Sequence, residues 1–365
     1  MKIRVHTQKL LQALLLLSRI STKHATLAVL QCVFMEAKNN KLTLKSTNLE
    51  LSLEILVECE VVEEGVIAVP VNTLLQTIQF TSEQFLNLES EDGVLQIEMN
   101  KTNTSIKSIA HEEFPTLNKL KGSGLKINKQ TFSLGIKTVA FAASVSSIKP
   151  ELGSVCIQQK KEHTLTFVAT DAFRLMEKTV PQTGLVLDQV LLIPQKNAQE
   201  IVRIFDALET NPQMVVNDNQ CAFVFEESGV YLTTRLVAGS FPDYEQIIPK
   251  EYCTTVTVIR ADLQNSFKKT AIFLNKYQQV TLTITTGGVT ISAQNNEVGH
   301  ITHTINAEVE GEELTLNFNQ QYITDPLSYF EDDSLVLKFA GIGRSLVFKG
   351  LSDNTLRYLV MPMNR

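Results

Sequence analysis

The feature that most constrains the fold of this chain is a pattern that occurs three times, about 120 residues apart. Each copy begins with a helix-like segment, TQKLLQALLLLSRIS, NKQTFSLGIKTVAFAAS or RADLQNSFKKTAIFLNK. Each then reaches a strand that ends in a polar turn, KLTLKSTNLE, TLTFVATDAFRL or GVTISAQNNE. Asn48, Asp171 and Asn295 occupy equivalent places, 123 and 124 residues apart. This spacing predicts three similar units, because 365 residues exceed the usual size of one core.

The second half of each copy is a strand that leads into a second helix: VIAVPVNTLLQTIQF, VLLIPQKNAQEIVRIF or LTLNFNQQYITDPLSYF. Each copy closes on a proline motif, EFPTL, SFPDY or VMPMN. NKTNTSIKSIA and EELTLNF alternate with period two, as half-buried strands do. The sequence therefore predicts an α+β chain with two helices packed on antiparallel sheets in each unit. We expect domains at 1–121, 126–250 and 251–365.

Cysteine usage argues against a disulfide framework and a zinc site. The five cysteines are odd in number, widely spaced and contain no CxxC pair: Cys32, Cys59, Cys156, Cys221 and Cys253. Free thiols in a reducing cytoplasm are the simpler interpretation, and we expect neither metal nor cofactor.

The apolar stretch near the start of the chain, LLQALLLL, is interrupted by Gln12, and no stretch has the roughly 18–20 apolar residues of a membrane span.

The charges are distributed unevenly along a chain whose net charge is −6. The six predicted helices span roughly residues 7–20, 71–81, 128–144, 195–205, 260–277 and 319–330. They hold ten basic and three acidic residues, a net +7 that leaves −13 for the rest of the chain. This predicts a basic helical surface suited to sequence-independent contact with a polyanion. The alternative is that amphipathic helices simply carry solvated lysines.

The stretch FVATDAFRL, Phe167 to Leu175, allows three interpretations. A buried strand runs into a Thr-Asp pair, and an aromatic residue and an arginine follow. The segment could be an active site, a turn or a docking surface. Asp171 is expected to hold a turn through bonds to its own backbone.

These motifs resemble one family closely. TD-x-x-RL, FPDY, IPK and VMPM occur here in the order and spacing of the bacterial DNA polymerase III beta subunits, the sliding clamps. The resemblance runs from MKIRVHTQKLL to YLVMPMNR. It implies three clamp-type domains per chain and a head-to-tail homodimer that closes into a ring. The implied activity is mechanical and non-enzymatic: the ring encircles duplex DNA and tethers a polymerase.

The resemblance also implies a peptide-binding cleft beside TDAFRL. Partners that insert short Gln-Leu-x-Leu-Phe-like motifs would be the replicative polymerase alpha subunit, the clamp loader and repair polymerases. The residues expected to form the cleft are Leu152, Thr170, Ala172, Phe173, Arg174, Leu175, Pro242, Ile247, Ile248, Tyr322, Ser345, Val360, Met361, Pro362 and Met363. Methionine suits a surface that serves many partners, and Arg174 could donate to a peptide oxygen.

Two further sets follow from the resemblance. The residues expected to contact DNA are Lys23, His24, Lys137, Lys149, Lys196, Arg203, Lys268 and Lys269. Those expected at the dimer interface are Ile106, Ser108, Ile272 and Phe273. The chain departs from the family in its DNA-facing loops. TKHAT stands where an arginine is usual, Asn72 and Thr73 follow Pro70 where another is frequent, and Ala172-Phe173 replaces Gly-His.

Several alternatives compete with these assignments. Met361 and Met363 could be plain core, Arg174 could form a surface ion pair, and FPDY could be only a turn. An enzyme is disfavoured, because the six histidines do not cluster with carboxylates or cysteines, and GIGRS lacks the full phosphate-loop pattern. A clamp-fold relative that binds peptides but no longer holds DNA is the second alternative, and the missing arginines motivate it.

Overall fold

The structure is a computed structural model that describes residues 1–21, 27–99, 102–146 and 148–363. Within these residues the α-helices lie close to the six predicted segments. Their bounds are α1 Thr7–Ile20, α2 Val71–Ile78, α3 Lys129–Val139, α4 Gln195–Ala207, α5 Arg260–Thr270 and α6 Gln320–Thr324. Strands dominate the rest, as the alternating patterns predicted.

The strands of the described residues are numbered in chain order. They are β1 Lys2–His6, β2 Cys32–Lys38, β3 Lys41–Thr47, β4 Leu51–Glu63, β5 Gly65–Pro70, β6 Phe85–Glu91, β7 Val94–Met99, β8 Thr102–Lys107, β9 Leu125–Lys126, β10 Ser154–Gln158, β11 Thr164–Thr170, β12 Arg174–Pro181, β13 Leu191–Pro194, β14 Gln213–Val216, β15 Gln220–Phe225, β16 Val230–Arg235, β17 Thr254–Ile259, β18 Gln279–Thr285, β19 Gly288–Asn295, β20 Gly299–Ile305, β21 Ala307–Gly311, β22 Leu314–Asn319, β23 Ser334–Phe339, β24 Leu346–Gly350 and β25 Leu356–Val360.

The chain divides into two compact units, of which the first holds residues 1–130 and 196–236. Its strands form one antiparallel sheet in the order β8-β7-β6-β1-β4-β16-β15-β14-β9. β3 also pairs with β4, and β2 pairs with β3 and β5. β4 pairs with β16 over five residues, from Leu51–Thr234 to Ile55–Val230. Side chains of β3 point alternately to the two faces of the sheet, so Leu42 and Leu44 are buried and Lys41 is exposed. β8 lies at one edge of the described sheet.

The second unit holds residues 131–195 and 237–365. Nine strands form one sheet in the order β13-β10-β11-β12-β25-β24-β23-β17-β21, and β20-β19-β18-β22 form another. β12 pairs with β25 from Arg174–Val360 to Lys178–Leu356. This ladder joins two segments that the sequence places in different domains, so the two segments share one sheet.

A glycine sets how closely α3 approaches this sheet. Gly135 lies on the buried side of α3, and a Cβ there would come within 2.3 Å of the Phe167 ring on β11. Phe167 is fully buried and meets Phe132 edge to face, with the ring centroids 5.3 Å apart. The helix therefore packs on Phe167 only because residue 135 has no side chain.

Four helices are shorter than predicted. α2 ends at Ile78 and not at residue 81, and the other three end early for local reasons. α3 and α5 pass into short 3-10 segments at 140–142 and 271–273. α6 ends at Thr324, and a 3-10 turn follows over 325–328, because Pro326 has no N–H to continue the α-helical ladder. No helix in the described part of the chain has the length and apolar character needed to cross a membrane.

Candidate functional site

The segment TDAFR forms a tight turn between β11 and β12. The Asp171 Oδ1 atom accepts hydrogen bonds from the backbone N–H groups of Phe173 and Arg174, both at 2.9 Å. The Thr170 hydroxyl donates to the Arg174 carbonyl oxygen at 2.6 Å and accepts from the Ala172 N–H at 3.2 Å. Ala172 has a φ of +76°, which few non-glycine residues adopt. The expected role of Asp171 in holding the turn agrees with these bonds.

Arg174 is buried and serves the protein itself. Its Nε donates to Asp171 Oδ2 at 3.0 Å, one terminal nitrogen donates to Asp325 Oδ2 at 2.5 Å, and the other donates to the Phe141 carbonyl oxygen at 3.0 Å. The guanidinium also lies 4.4 Å from the centre of the Tyr322 ring. Burial opposes the charge and lowers the pKa of Arg174, but the hydrogen bond to Asp325 and the negative charges of the neighbouring acidic groups together outweigh burial and raise it. These bonds show that Arg174 holds the turn together, and its buried ion pairs differ from the suggested surface ion pair. Its role as a donor to a bound peptide remains a prediction.

A cavity of about 740 Å³ opens beside this turn in the second unit. Eight of the predicted cleft residues line it: Thr170, Ala172, Arg174, Leu175, Ile247, Ile248, Ser345 and Met361. Leu175 and Leu359 are direct cross-strand partners on β12 and β25, and both are buried at its base. Ile247 and Met361 remain 53% and 37% exposed, so two large apolar side chains stand open to a ligand.

The other predicted cleft residues lie around the cavity without lining it. Phe173 is 61% exposed at the tip of the turn, and Tyr322 supports Arg174. Pro242 lines a separate cavity of about 330 Å³ with Cys156 and Tyr244. The 3-10 turn Tyr244–Ile247 lies between these two residues in the sequence. Pro242, before the turn, lines the smaller cavity, and Ile247, at its end, lines the larger one.

Leu152, Val360, Pro362 and Met363 complete the predicted set. Leu152 is buried in the loop before β10, and Val360 is buried as the partner of Arg174 in the ladder. Pro362 and Met363 are partly exposed, and the Met363 N–H donates to the Asn317 carbonyl oxygen at 2.7 Å. Met363 therefore fixes the path of the segment, while Met361 supplies the open side chain.

Seven lining residues were not predicted: Gln246, Pro249, Lys250, Glu251, Gly343, Arg344 and Leu359. Leu359 could have been found as a strand residue, because the apolar stretch LRYLV favours a strand, in which Leu359 lies on the face opposite Tyr358. Arg344 and Gly343 gave no such signal. They come from GIGRS, whose turn brings them beside Ser345 through the Arg344 N–H bond to the Gly341 carbonyl oxygen at 3.1 Å.

The residues predicted to contact DNA are dispersed over both units. In the first unit, α4 carries Lys196 and Arg203, both exposed, and Arg203 forms an ion pair with Glu200. In the second unit, Lys137, Lys149 and Lys268 are exposed. Lys269 is exposed too, but its Nζ lies 2.9 Å from the His303 Nε2 on β20. Lys23 and His24 fall outside the described residues.

Not every cation in the helical charge count points to solvent. Lys129 donates through Nζ to the carbonyl oxygens of Phe205 and Leu208 at the end of α4, where a cation is favourable. Arg260 donates through Nε to the Asp332 carbonyl oxygen at 3.0 Å. The basic helical surface is therefore smaller than the count of +7 implied.

The predicted interface residues differ in exposure. Ile272 is 69% exposed in the turn after α5, and Phe273 is partly exposed beside Gly299 on β20. Ile106 is buried in β8, because the alternation of that strand turns it inward. The Ser108 hydroxyl donates to the Gly93 carbonyl oxygen at 2.7 Å, which joins the residue after β8 to the residue before β7. The sequence did not single out Phe80, which is 87% exposed just after α2.

Comparisons with known proteins cover nearly the whole chain. Sequence models of the N-terminal, central and C-terminal domains of the DNA polymerase III beta subunit match residues 1–118, 126–243 and 245–364. The chain is 26% identical to the beta sliding clamp of Rickettsia bellii, over 100% of this chain and 99% of the relative. It is 27% identical to that of Streptococcus pneumoniae, over 97% and 96%.

Solved structures share the fold. The crystal structure of the DNA polymerase III beta subunit from Pseudomonas aeruginosa superimposes with a TM-score of 0.94 at 24% identity, over 100% of both chains. The three matched domain families together span more than half of the sequence. The chain therefore belongs to the DNA polymerase III beta subunit family, the bacterial sliding clamps.

Proposed function

We propose that this protein is a ring-shaped sliding clamp that encircles duplex DNA and tethers a polymerase and other partners through the cleft beside TDAFRL. Members of the family are non-catalytic processivity subunits. The observation that carries the peptide-binding part is the cavity of about 740 Å³ between the Thr170–Arg174 turn and Met361. Its volume lies within the usual range for binding pockets.

The chemistry of this cleft suits an apolar peptide with a few polar groups. Leu175 and Leu359 give a buried apolar base, and Ile247 and Met361 give adaptable open walls. Each nitrogen of the Arg174 guanidinium already donates a hydrogen bond within the protein, so the turn is held in place before a ligand arrives. A preformed cleft loses little ordering entropy on binding. These features support capture of a Gln-Leu-x-Leu-Phe-like motif from a polymerase alpha subunit, a clamp loader or a repair polymerase.

DNA contact in this proposal is weak and independent of sequence. Exposed lysines on the helices and on the loop after α3 can reach phosphates, and phosphate contacts carry no base information. Lys137, Lys149, Lys196 and Lys268 are the exposed candidates. Lys23 and His24 remain candidates from the sequence alone. The topology of a closed ring would then supply retention, and weak contacts would permit sliding.

Head-to-tail closure of the ring is proposed to use two sheet edges. β8 and β20 each end a described sheet, and an unpaired edge readily accepts another strand. The exposed Ile272 and Phe80 near these edges would be a liability if they stayed open to water. The side chain of Ile106 is buried, so Ile106 would contribute to this interface through its backbone in β8.

We also propose the domain limits 1–121, 126–250 and 251–365 and a cytoplasmic location. The ranges matched by the three family models support the limits. The described cysteines are free, which supports a reducing compartment. Burial raises the pKa of the Cys156 thiol to about 12, which suits an inert core residue and not a reactive one.

The first test is binding of a fluorescent Gln-Leu-x-Leu-Phe peptide, followed by anisotropy. We expect micromolar affinity, equivalent to about 8 kcal/mol. Met361→Glu should weaken binding at least tenfold, because it places a charge on an open apolar wall. Removal of residues 361–365 should abolish binding.

The matched control for this test is Leu351→Glu, which charges an apolar side chain that is 64% exposed and does not line the cavity. It should bind the peptide like the wild type. Circular dichroism would verify that each variant is folded. A folded wild type that does not bind the peptide would remove the tethering role.

A second candidate function is a clamp-fold protein that binds peptides but holds DNA poorly. The ion pair of Arg203 with Glu200 and the contact of Lys269 with His303 favour it, because both cations are partly engaged. Retention on nicked circular DNA at physiological salt separates the two functions. Loss of DNA with peptide binding intact would identify the second.

A further inference from the structure

A third cavity, of about 450 Å³, lies on the nine-stranded sheet of the second unit and is lined by four cations. We call it the basic cavity and define it by Lys160, Lys161, Lys349 and Arg357. It is separate from the peptide cleft, since the two cavities share no lining residue. The charge count placed acid on the sheets, so a basic concavity here is unexpected.

One buried carboxylate organises part of this cavity. Glu177 accepts a hydrogen bond from the Tyr244 hydroxyl at 2.5 Å, from Arg357 at 2.5 Å and from Lys160 at 3.3 Å. Burial alone would raise the pKa of Glu177, but the Tyr244 hydroxyl and the charges of Arg357 and Lys160 together lower it. The residue is therefore an anion that compensates one of the two cations.

Glu245 compensates the other cation, Lys160, with which it forms an ion pair. Two lining carboxylates thus face four lining cations, and Lys161 and Lys349 have no acidic partner among the described residues. The cavity carries a net charge of about +2 in a protein whose net charge is −6. An excess of like charge in a concave surface favours binding of an anion.

The strand register concentrates this excess charge. Lys349 on β24 and Arg357 on β25 are direct cross-strand partners, so their side chains lie on the same face of the sheet. Partial burial lowers the pKa of Lys349, and the charges of Lys338 and Arg357 lower it further. Like charges placed opposite each other are unfavourable. A bound anion would relieve this repulsion.

Two groups in the cavity have hydrogen-bonding capacity left. The Nε of Arg357 is buried and has no hydrogen-bond partner within the described structure, which is unusual for a buried donor. The hydroxyls of Thr166 and Thr179 lie 3.2 Å apart, and one of them donates to the other. The accepting hydroxyl keeps a hydrogen that can donate to a ligand.

We propose that the basic cavity binds a compact multivalent oxyanion of the phosphate class, held by Lys161, Lys349 and Arg357. The volume suits a small ligand. The existing pairs already match this chemistry, because Arg357 and Lys160 each hold a carboxylate oxygen of the chain itself. The site does not depend on the clamp function, and its test involves neither the peptide nor duplex DNA.

The test is isothermal titration of the full-length protein with pyrophosphate at constant ionic strength. We expect one saturable site per chain. Lys349→Gln should weaken binding about tenfold, equivalent to about 1.4 kcal/mol, and Lys161→Gln should weaken it in the same direction. Lys38→Gln is the matched control, because Lys38 is an exposed strand lysine of the first unit, and it should leave binding unchanged.

Competition identifies the source of the anion. Displacement of pyrophosphate by ATP would support a nucleotide, and displacement by inorganic phosphate alone would support a free oxyanion. Binding unaffected by Lys349→Gln in a folded protein would overturn the proposal. So would the absence of saturable heat up to roughly millimolar pyrophosphate.

Discussion

The backbone N–H of Met361 donates a hydrogen bond to the Phe173 carbonyl oxygen at 2.8 Å. This bond extends the β12–β25 ladder into the TDAFRL turn, so the turn and the segment after β25 move as one wall. The side chain of Met361 is thereby placed at the cavity, where it is 37% exposed. Its position depends on the turn, which makes the turn geometry the first target for mutation.

Ala172→Gly should stabilise the second unit by about 0.5–1 kcal/mol. An alanine at φ +76° pays a steric penalty of about 1–2 kcal/mol that glycine avoids, and the entropy lost by glycine offsets only part of it. Urea unfolding measures the change. Ala261→Gly in α5, with helical φ, is the matched control and should destabilise. Equal destabilisation by both would show that residue 172 is unstrained.

Arg174→Met should destabilise the second unit by about 3–5 kcal/mol, because it leaves Asp171 and Asp325 without their buried cation. Arg174→Lys keeps the charge but has one ammonium for three separate partners, so we expect an intermediate loss. Chemical unfolding of the three proteins measures this order. If Arg174→Met fell within about 0.5 kcal/mol of wild type, the ion pairs would contribute little.

The Glu177 network predicts a dependence of stability on pH. Because the folded pKa of Glu177 is depressed, its contribution is present above the ordinary value of 4.5 and is lost as the pH falls through the folded value. The difference in urea midpoint between wild type and Glu177→Gln should be largest near neutral pH and should shrink below pH 4.5. Glu245 is largely exposed, so Glu245→Gln should give a smaller difference in urea midpoint. A difference between wild type and Glu177→Gln that stays constant with pH would contradict a stabilising role for the Glu177 charge.

Paired substitutions Ile272→Asp and Phe273→Asp should yield monomers in sedimentation velocity. A charge at Ile272, which is 69% exposed, would be buried against the partner in the proposed dimer. Leu351→Asp alters another exposed apolar residue and should remain dimeric. A dimer that survives both aspartates would place the interface elsewhere.

Lys196→Gln combined with Lys268→Gln should weaken retention on DNA and change its dependence on salt. Each lost phosphate contact lowers the slope of log K against log salt by about 0.9. Measured at several salt concentrations, the double variant should therefore lose about 1.8 in slope. Lys38→Gln should leave the slope intact. An unchanged slope in the double variant would exclude these two lysines from the contact.

The sequence predicted helices and strands well wherever apolar residues recurred at a regular spacing. Six helices and an antiparallel majority followed from repeated apolar spacing, because that spacing decides which face is buried. The ends of α3, α5 and α6 were missed, since 3-10 continuations depend on local bonds and on Pro326. The inward position of Ile106 also follows from alternation, but its proposed role had come from the resemblance alone.

The site was predictable in part. The TDAFRL turn and Met361 were found because they belong to continuous motifs. Lys250 and Arg344 were not, because only tertiary structure brings the segment after Ile248 and the GIGRS turn to the same cavity. The use of Arg174 also depended on tertiary structure, since its partner Asp325 lies 151 residues away. The basic cavity was hidden for the same reason, because its cations come from separate strands.

The pairing of β12 with β25 has a consequence for how the protein is made. The partners Glu177 and Arg357 lie 180 residues apart, so β12 leaves the ribosome long before its neighbour exists. During that interval the nascent chain carries a strand with one unpaired edge, the kind of surface that promotes aggregation. Pairings of such high contact order also form slowly. The second unit is therefore exposed to aggregation until β25 has been synthesised.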